Sequence, residues 1–523
     1  MQQPFQLASM FTDHMVLQQG EPVPVWGSGP EGEIVTVQFR GEIVKAVVQD
    51  GCWRVRLQPK DAGGPFELNA RLGHEEIVRK DVLVGEVWLA AGQSNMEQPL
   101  LFTEGGVAEA ESAAAPHLRL FTAPRRPFHD ARVPGWHFSG TMSDDAGWHT
   151  CTPESALHFS AIGYYFGALL QRSRSVPVGI ISCNWGGTPI QAWMSERYLA
   201  RDPEMGASLE QYRNHVAAQD SEQYEREYAE YVRQMRRMID ERGDIEQRIR
   251  SLGLDGYRSW VSANPLAWPP QPLGPKAYFR PCGLYHTMLR TVAPYPIRGV
   301  LWYQGESNAV PKEAFLYRKL LASLIENWRE DWEKPDLPFL IVQLSAYAPQ
   351  RGTNGTVWAT LRESQETVAR TVPRASMVVT IDCGEHDIHP VRKRPVAERL
   401  LLAAQSDVYG EEADARGPRY RSMEVEGNKA ILSFDQHIRA LNGTQERLAG
   451  FTICGPDRQF VPAEARMAGD RVEIFQPEIQ TPVAVRYAWQ NMPEYSLYGR
   501  SGLPAAPFRT DDFALEQEGN GTK

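Results

Sequence analysis

The 523-residue chain is poor in three things, and each shortage closes off a class of function. Cysteine is scarce. The six, at positions 52, 151, 183, 282, 383 and 454, are scattered, with no C-x-x-C pair and no zinc-like spacing to histidine. Such a pattern fits reduced, mostly buried thiols rather than a disulfide framework or a structural zinc site. Long apolar runs are missing as well: nothing approaches the ~18 consecutive apolar residues that a bilayer-spanning helix needs. Positive charge is in deficit, with 55 Lys and Arg against 65 Asp and Glu, a net charge of −10. Neither a nucleic acid nor a membrane surface is therefore the expected partner, and no long block of one sign reverses that expectation. The opening MQQPFQLASMF has no basic stretch followed by an apolar core, so no secretory signal is visible. The expected location is the cytoplasm, or outside the cell if a leader has been removed.

What is present divides the chain into three textures. Residues 20 to 85 alternate apolar stretches with turn signals (VPVWGSGPEGEIVTVQF, KAVVQDGCWRVRL), which predicts an antiparallel β domain over 1–82. Its GSGPEG matches G-x-G-x-x-G, but β-type sequence follows where a dinucleotide loop would open a helix, so these are turn glycines. From 83 to 410, short buried runs (VLVGEVWLAA, VPVGIISCNW, IRGVLWYQ, PFLIVQLSAY, SMVVTIDCG) alternate with helical segments, predicting an α/β domain with a doubly wound parallel sheet. Residues 411–523 turn β-rich again, and the last dozen look frayed. One segment breaks the alternation. Residues 208–252 are highly charged, with Tyr224, Tyr228, Tyr231, Met235, Met238, Ile245, Ile249 and Leu252 on one helical face and Gly243 as a break. A helical insertion packed on the catalytic domain is expected; a homodimer seam is the alternative.

In parallel α/β sheets, ligands gather at the carboxyl ends of the strands. Four such ends carry polar clusters: Gln93, Ser94 and Asn95; Gly186, Gly187 and Thr188; Gln304 and Glu306; and Asp382 followed by His386, Asp387 and His389. A hydroxyl, glycine amides, a carboxamide and an imidazole near carboxylates suit acyl transfer without a metal or cofactor. Serine attacks only when a base takes its proton. Histidine titrates near neutrality and can do so, while amide donors stabilise the oxyanion. Ser94 is the candidate nucleophile, against the alternative that it only caps a helix. Met96 stands where G-x-S-x-G would need glycine, which removes the α/β-hydrolase elbow. Oxyanion donors are sought at Ser94, Gly186 or Gly187, and Gln304. His389 is preferred to His386 as base, with Asp387 as orienter and Asp382, Glu385 or a main-chain carbonyl as substitutes. Gln93, Asn95 and Glu306 are candidate substrate contacts.

The motifs GQSNM, NWGGTPIQAWM, WYQGESN and DIHP, in this order, resemble the sialate O-acetylesterase family of SGNH hydrolases. LASMFTDHMVLQQGEPVPVWG near the start and PAAPFRTDD near the end extend the likeness over most of the chain. The resemblance implies an SGNH (flavodoxin-like) catalytic domain with flanking β-rich domains, and a serine esterase removing O-acetyl groups from a carbohydrate through an acetyl-enzyme. It implies Ser94 as nucleophile, His389 as base, and an oxyanion hole of Ser94, Gly186, Gly187 and Gln304. The family's Asp falls three residues before its His; here that position is His386, and Asp387 is two before. The implied partner is an acetylated carbohydrate, either a sialic acid or a plant polysaccharide. A carbohydrate-binding relative without turnover and a general short-chain esterase are the competing readings.

Overall fold

The computed structural model describes residues 3–126, 128, 147–265, 267–348, 355–441 and 448–514, and the backbone of two short strands at 135–136 and 142–143. The expected frayed end, from 515 onward, lies outside the described residues. The chain condenses into two compact units, Met1–Trp302 with Ser323–Phe339, and Tyr303–Ala322 with Leu340–Lys523.

In the first unit, residues 20–85 form antiparallel strands, and the turn after Val23–Ser28 leads into the strand Ile34–Phe39, not into a helix. The long strand Glu75–Gly92 serves two environments. Its first half pairs antiparallel with Gly63–Leu72, and from Val82 to Gly92 every residue is buried. That continuously buried run, apolar but for Glu86, which pairs with Arg298 at 2.9 Å, is what a strand covered on both faces requires. It pairs in parallel with Val178–Asn184, which pairs in parallel with Ala115–Thr122 on its other side; Trp148–Cys151 closes that edge antiparallel. The strand Gly299–Tyr303 follows Glu75–Gly92 in the sheet order. Ala115–Thr122 was not among the strands read from sequence, because His117 and Arg119 interrupt its apolar pattern. Arg119 is nonetheless buried, and its guanidinium pairs with Asp81 at 2.6 Å.

The charged segment forms the helices Pro203–Ala218, Ser221–Arg242 and Ile245–Ala263. Gly243 ends the second with φ 63°, a left-handed value that glycine adopts without steric cost. Tyr224, Tyr228, Tyr231, Met235 and Met238 are buried, with Phe128 partly buried against them, so this part of the stripe is covered within the chain. Leu252 does not continue it: the residue is 50% exposed, because Gly253 (φ 71°, ψ 167°) breaks the helix directly after it.

The strand Phe339–Val342, all but its first residue in the second unit, is followed in the sheet order by Ala375–Val378, and the Gln343 amide donates to the Val378 carbonyl at 3.0 Å. Helices Val357–Thr371 and Arg394–Asp407 accompany them. Residues 420–509 form antiparallel β-structure around Leu432, Ile453, Ile474, Val485 and Tyr487. The whole is a mixed α/β protein with additional β-sheets.

Candidate active site

The register of two parallel strands sets up the serine. Gly92 stands opposite Asn184, so the two strands end at the same level and their loops leave the sheet together. Gly92 has φ 138°, a value L side chains rarely adopt, and it turns the chain sharply into the four-residue helix Ser94–Glu97. Gln93 is the helix cap but its side chain does not cap the first turn; its carbonyl accepts from the Met96 and Glu97 amides, both at 2.9 Å. Ser94 is therefore the first helical residue and not a cap. Among the described residues its hydroxyl makes no hydrogen bond, and the side chain is 7% exposed. Met96 is fully buried, and Ser160 Oγ donates to its carbonyl at 2.6 Å. Gln93 and Asn95 are buried as well, at 2% each.

Beside this turn lies Trp185–Gly186–Gly187, with the Trp185 amide donating to the Gly92 carbonyl at 3.2 Å. A Cβ on Gly186 would stand 3.1 Å from Ser94 Cβ, so a larger residue would crowd the hydroxyl. The Gly186 amide donates to Glu97 Oε2 at 2.5 Å. In this structure that amide is thus engaged by a carboxylate, unlike the arrangement expected for an oxyanion donor. Gly187, with φ 71°, remains the glycine whose amide can serve.

Glu97 is the residue that sequence reasoning missed. Its other oxygen meets Arg125 Nη1 at 2.9 Å, with both side chains about 5% exposed or less. Arg125 continues to Asn184, its Nε donating to the carbonyl at 3.3 Å, and the Asn184 amide donates to Ser182 Oγ at 2.8 Å. A buried ion pair is retained only when hydrogen bonds satisfy its remaining atoms. Here they do, and the chain of contacts locks the serine turn to the glycine turn. The available signal was a carboxylate three residues after Ser94 inside an otherwise buried motif.

The second unit holds the remaining candidates. Gln304 is fully buried; its Oε1 accepts from Tyr317 at 2.7 Å and its Nε2 donates to Asn308 Oδ1 at 2.8 Å. Asn308 in turn donates to Glu313 at 2.7 Å. These bonds fix the orientation of the carboxamide. Tyr303, Ser345 and Thr380 form a buried hydroxyl chain, with 3.0 Å at each link.

His389 is partly buried and His386 is exposed. Burial, then the Lys393 ammonium, lower the His389 imidazole to about 4, while Asp387 opposes them. Asp387 accepts from the His389 backbone amide at 2.9 Å, but its carboxylate is 3.8 Å from Nδ1, too long for a hydrogen bond. The substitute carboxylates are engaged elsewhere. Asp382 takes a two-pronged contact from Arg399 at 2.6 and 2.7 Å, and Glu385 accepts from the Val391 amide at 2.9 Å. Lys393, also missed, is buried at 2% exposure; burial lowers its ammonium to about 7 while Glu306 supports the charged form.

Fold and sequence pattern together define an esterase-type α/β protein. Residues 84–242 and 273–393 match the family described as carbohydrate esterase, sialic acid-specific acetylesterase, and the chain belongs to this family. It is a carbohydrate O-acetylesterase. Sialate O-acetylesterases of Rattus norvegicus and Homo sapiens are 29% and 27% identical to it, each match covering 96% of this chain and 94% and 92% of theirs. The crystal structure of a carbohydrate acetylesterase from Xanthomonas citri superimposes with a TM-score of 0.76 at 33% identity, covering 97% of this chain and 100% of that one.

Proposed function

We propose that this enzyme removes O-acetyl groups from an acetylated sugar by SGNH-type serine catalysis, with Ser94 as nucleophile and His389 as base. Ser94 Oγ attacks the acetyl carbonyl carbon as His389 takes the hydroxyl proton. The bond from that carbon to the sugar oxygen breaks, and the imidazolium returns the proton to the departing alkoxide. Water, deprotonated by His389, then attacks acetyl-Ser94; acetate leaves and the serine regains its proton. The Ser94 and Gly187 amides and the Gln304 carboxamide are the proposed oxyanion donors, each typically worth about 10²–10³ in rate. Sialic acids and plant polysaccharides are the candidate sugars, the first carried by the names of the curated relatives.

The observation that carries this reading is the unengaged Ser94 hydroxyl, held at the end of a buried strand next to Gly187. Ser94→Ala and His389→Ala should each lower kcat for 4-nitrophenyl acetate by about 10³ or more. His386→Ala should retain most of the activity. Turnover persisting in Ser94→Ala would refute the nucleophile, and loss in His386→Ala with retention in His389→Ala would reverse the choice of base. Acetate release from acetylated sialosides, xylan and xyloglucan fragments identifies the sugar.

A further inference from the structure

The charged helical insertion has a link to the serine turn. Tyr224, on the helix Ser221–Arg242, accepts from the Lys276 amide at 2.9 Å, and a Cβ on Gly274 would fall 2.3 Å from its ring. Lys276 Nζ lies 5.0 Å from the centre of the Tyr228 ring and pairs with Glu225 at 2.5 Å. The loop after the insertion is therefore clamped to one helix face. Gln271 braces it further, donating to the Lys276 carbonyl at 3.1 Å and accepting from the Tyr278 amide at 3.3 Å.

That loop delivers Tyr278 to the glycine turn. Its ring stacks on Trp185, with centroids 5.1 Å apart and planes within 5°. Its phenol oxygen lies 3.2 Å from where a Cβ on Gly187 would be. The side chain is half-buried, and among the described residues the hydroxyl has no hydrogen-bond partner. Burial and the Glu97 carboxylate both raise its pKa, so the phenol stays protonated and able to donate. With one ring face covered by Trp185, the hydroxyl is the group available to a ligand.

We propose that Tyr278 is a specificity residue, its phenol hydrogen-bonding a hydroxyl of the sugar that bears the acetyl ester, and that the insertion positions it. The proposal rests on Ser94 being the nucleophile. A hydroxylated sugar matches a group that both donates and accepts, whereas an aryl acetate carries no hydroxyl and can only accept. The family match omits residues 243–272, which hold the helix Ile245–Ala263 and most of the proline-rich loop leading to Tyr278. Of the residues that hold the contact, Gln271 lies in that unmatched stretch, while Tyr224, Tyr228, Lys276 and Tyr278 lie in the matched ones.

The test compares Tyr278→Phe with wild type on an acetylated xylo-oligosaccharide or 9-O-acetylated sialic acid, whichever wild type hydrolyses, and on 4-nitrophenyl acetate. Loss of one neutral hydrogen bond should raise KM for the sugar ester about three- to tenfold with little change in kcat. The loss on 4-nitrophenyl acetate should be clearly smaller. Tyr224→Phe, which removes the anchoring hydroxyl, should raise the sugar KM in the same direction by less. Equal losses on both substrates would place the phenol on the acetyl group and overturn the proposal, as would an unchanged KM in Tyr278→Phe. An unchanged KM in Tyr224→Phe would overturn the role given to the insertion. Ser94→Ala is run beside them: if it keeps turnover, the nucleophile reading fails, whatever Tyr278 does.

Discussion

The serine turn and the histidine turn are built on opposite principles. Around Ser94 a buried carboxylate, a buried guanidinium and two backbone turns are joined by hydrogen bonds, and the nucleophile itself is left unbonded. Around His389 the Asp387 carboxylate is half exposed and stands 3.8 Å from the ring, while burial and a cation govern the protonation of the imidazole. The first turn is fixed in place; the second is tuned in charge. Position matters most for the atom that forms a bond and for the amides that receive the oxyanion. Basicity matters most for the atom that carries a proton.

Glu97→Gln strikes the fixed turn and should do the greatest damage. It leaves Arg125 buried without its counter-charge, a change that typically costs about 3–5 kcal/mol. Urea unfolding should show the lower midpoint at an unchanged slope, and a stability within 1 kcal/mol of wild type (about the scale of an exposed pair) would show that the network is not what holds the turn.

Lys393→Met tests the tuning. A histidine held near 4 stays neutral and able to accept a proton down to about that pH, so the acid limb of kcat/KM for wild type should lie well below the ordinary 6.5. Removing the ammonium removes a repulsion felt only by the imidazolium, so the His389 pKa rises and the limb moves to higher pH. Burial, the larger cause, persists, so the shift is partial. Lys393→Arg keeps the charge and should keep the limb in place. A limb that does not move in Lys393→Met would sink the electrostatic role. Asp387→Asn should be mildest, less than about tenfold in kcat, because no hydrogen bond to the ring is lost. A loss equal to that of His389→Ala would instead establish a full triad.

The same contrast explains how much could be read from sequence. Ser94, Gly187, Gln304 and His389 follow strands whose apolar runs are legible, and the strand-end rule locates them without knowledge of any contact. Glu97, Arg125 and Tyr278 are far apart in sequence from what they touch, and although Lys393 is close to His389 in the chain, a charged residue in a string carries no mark of burial. Gly186 shows the limit most clearly. As a residue type it equals Gly187, and only the Glu97 carboxylate distinguishes the two. Ala115–Thr122 was obscured in a similar way, since the partner that makes Arg119 tolerable in a buried strand is Asp81, 38 positions earlier.

The pairing of Gly92 with Asn184 also determines where this enzyme can tolerate change in length. The segment from 203 to 263 shows that whole helices fit after the glycine turn. A single residue inserted between Val178 and Asn184 would be different. It would advance the glycine turn by about 3.3 Å and reverse the faces of the residues beyond it. Deletion and insertion scanning should therefore find a seven-residue interval, Val178–Asn184, in which every length change is lethal to activity.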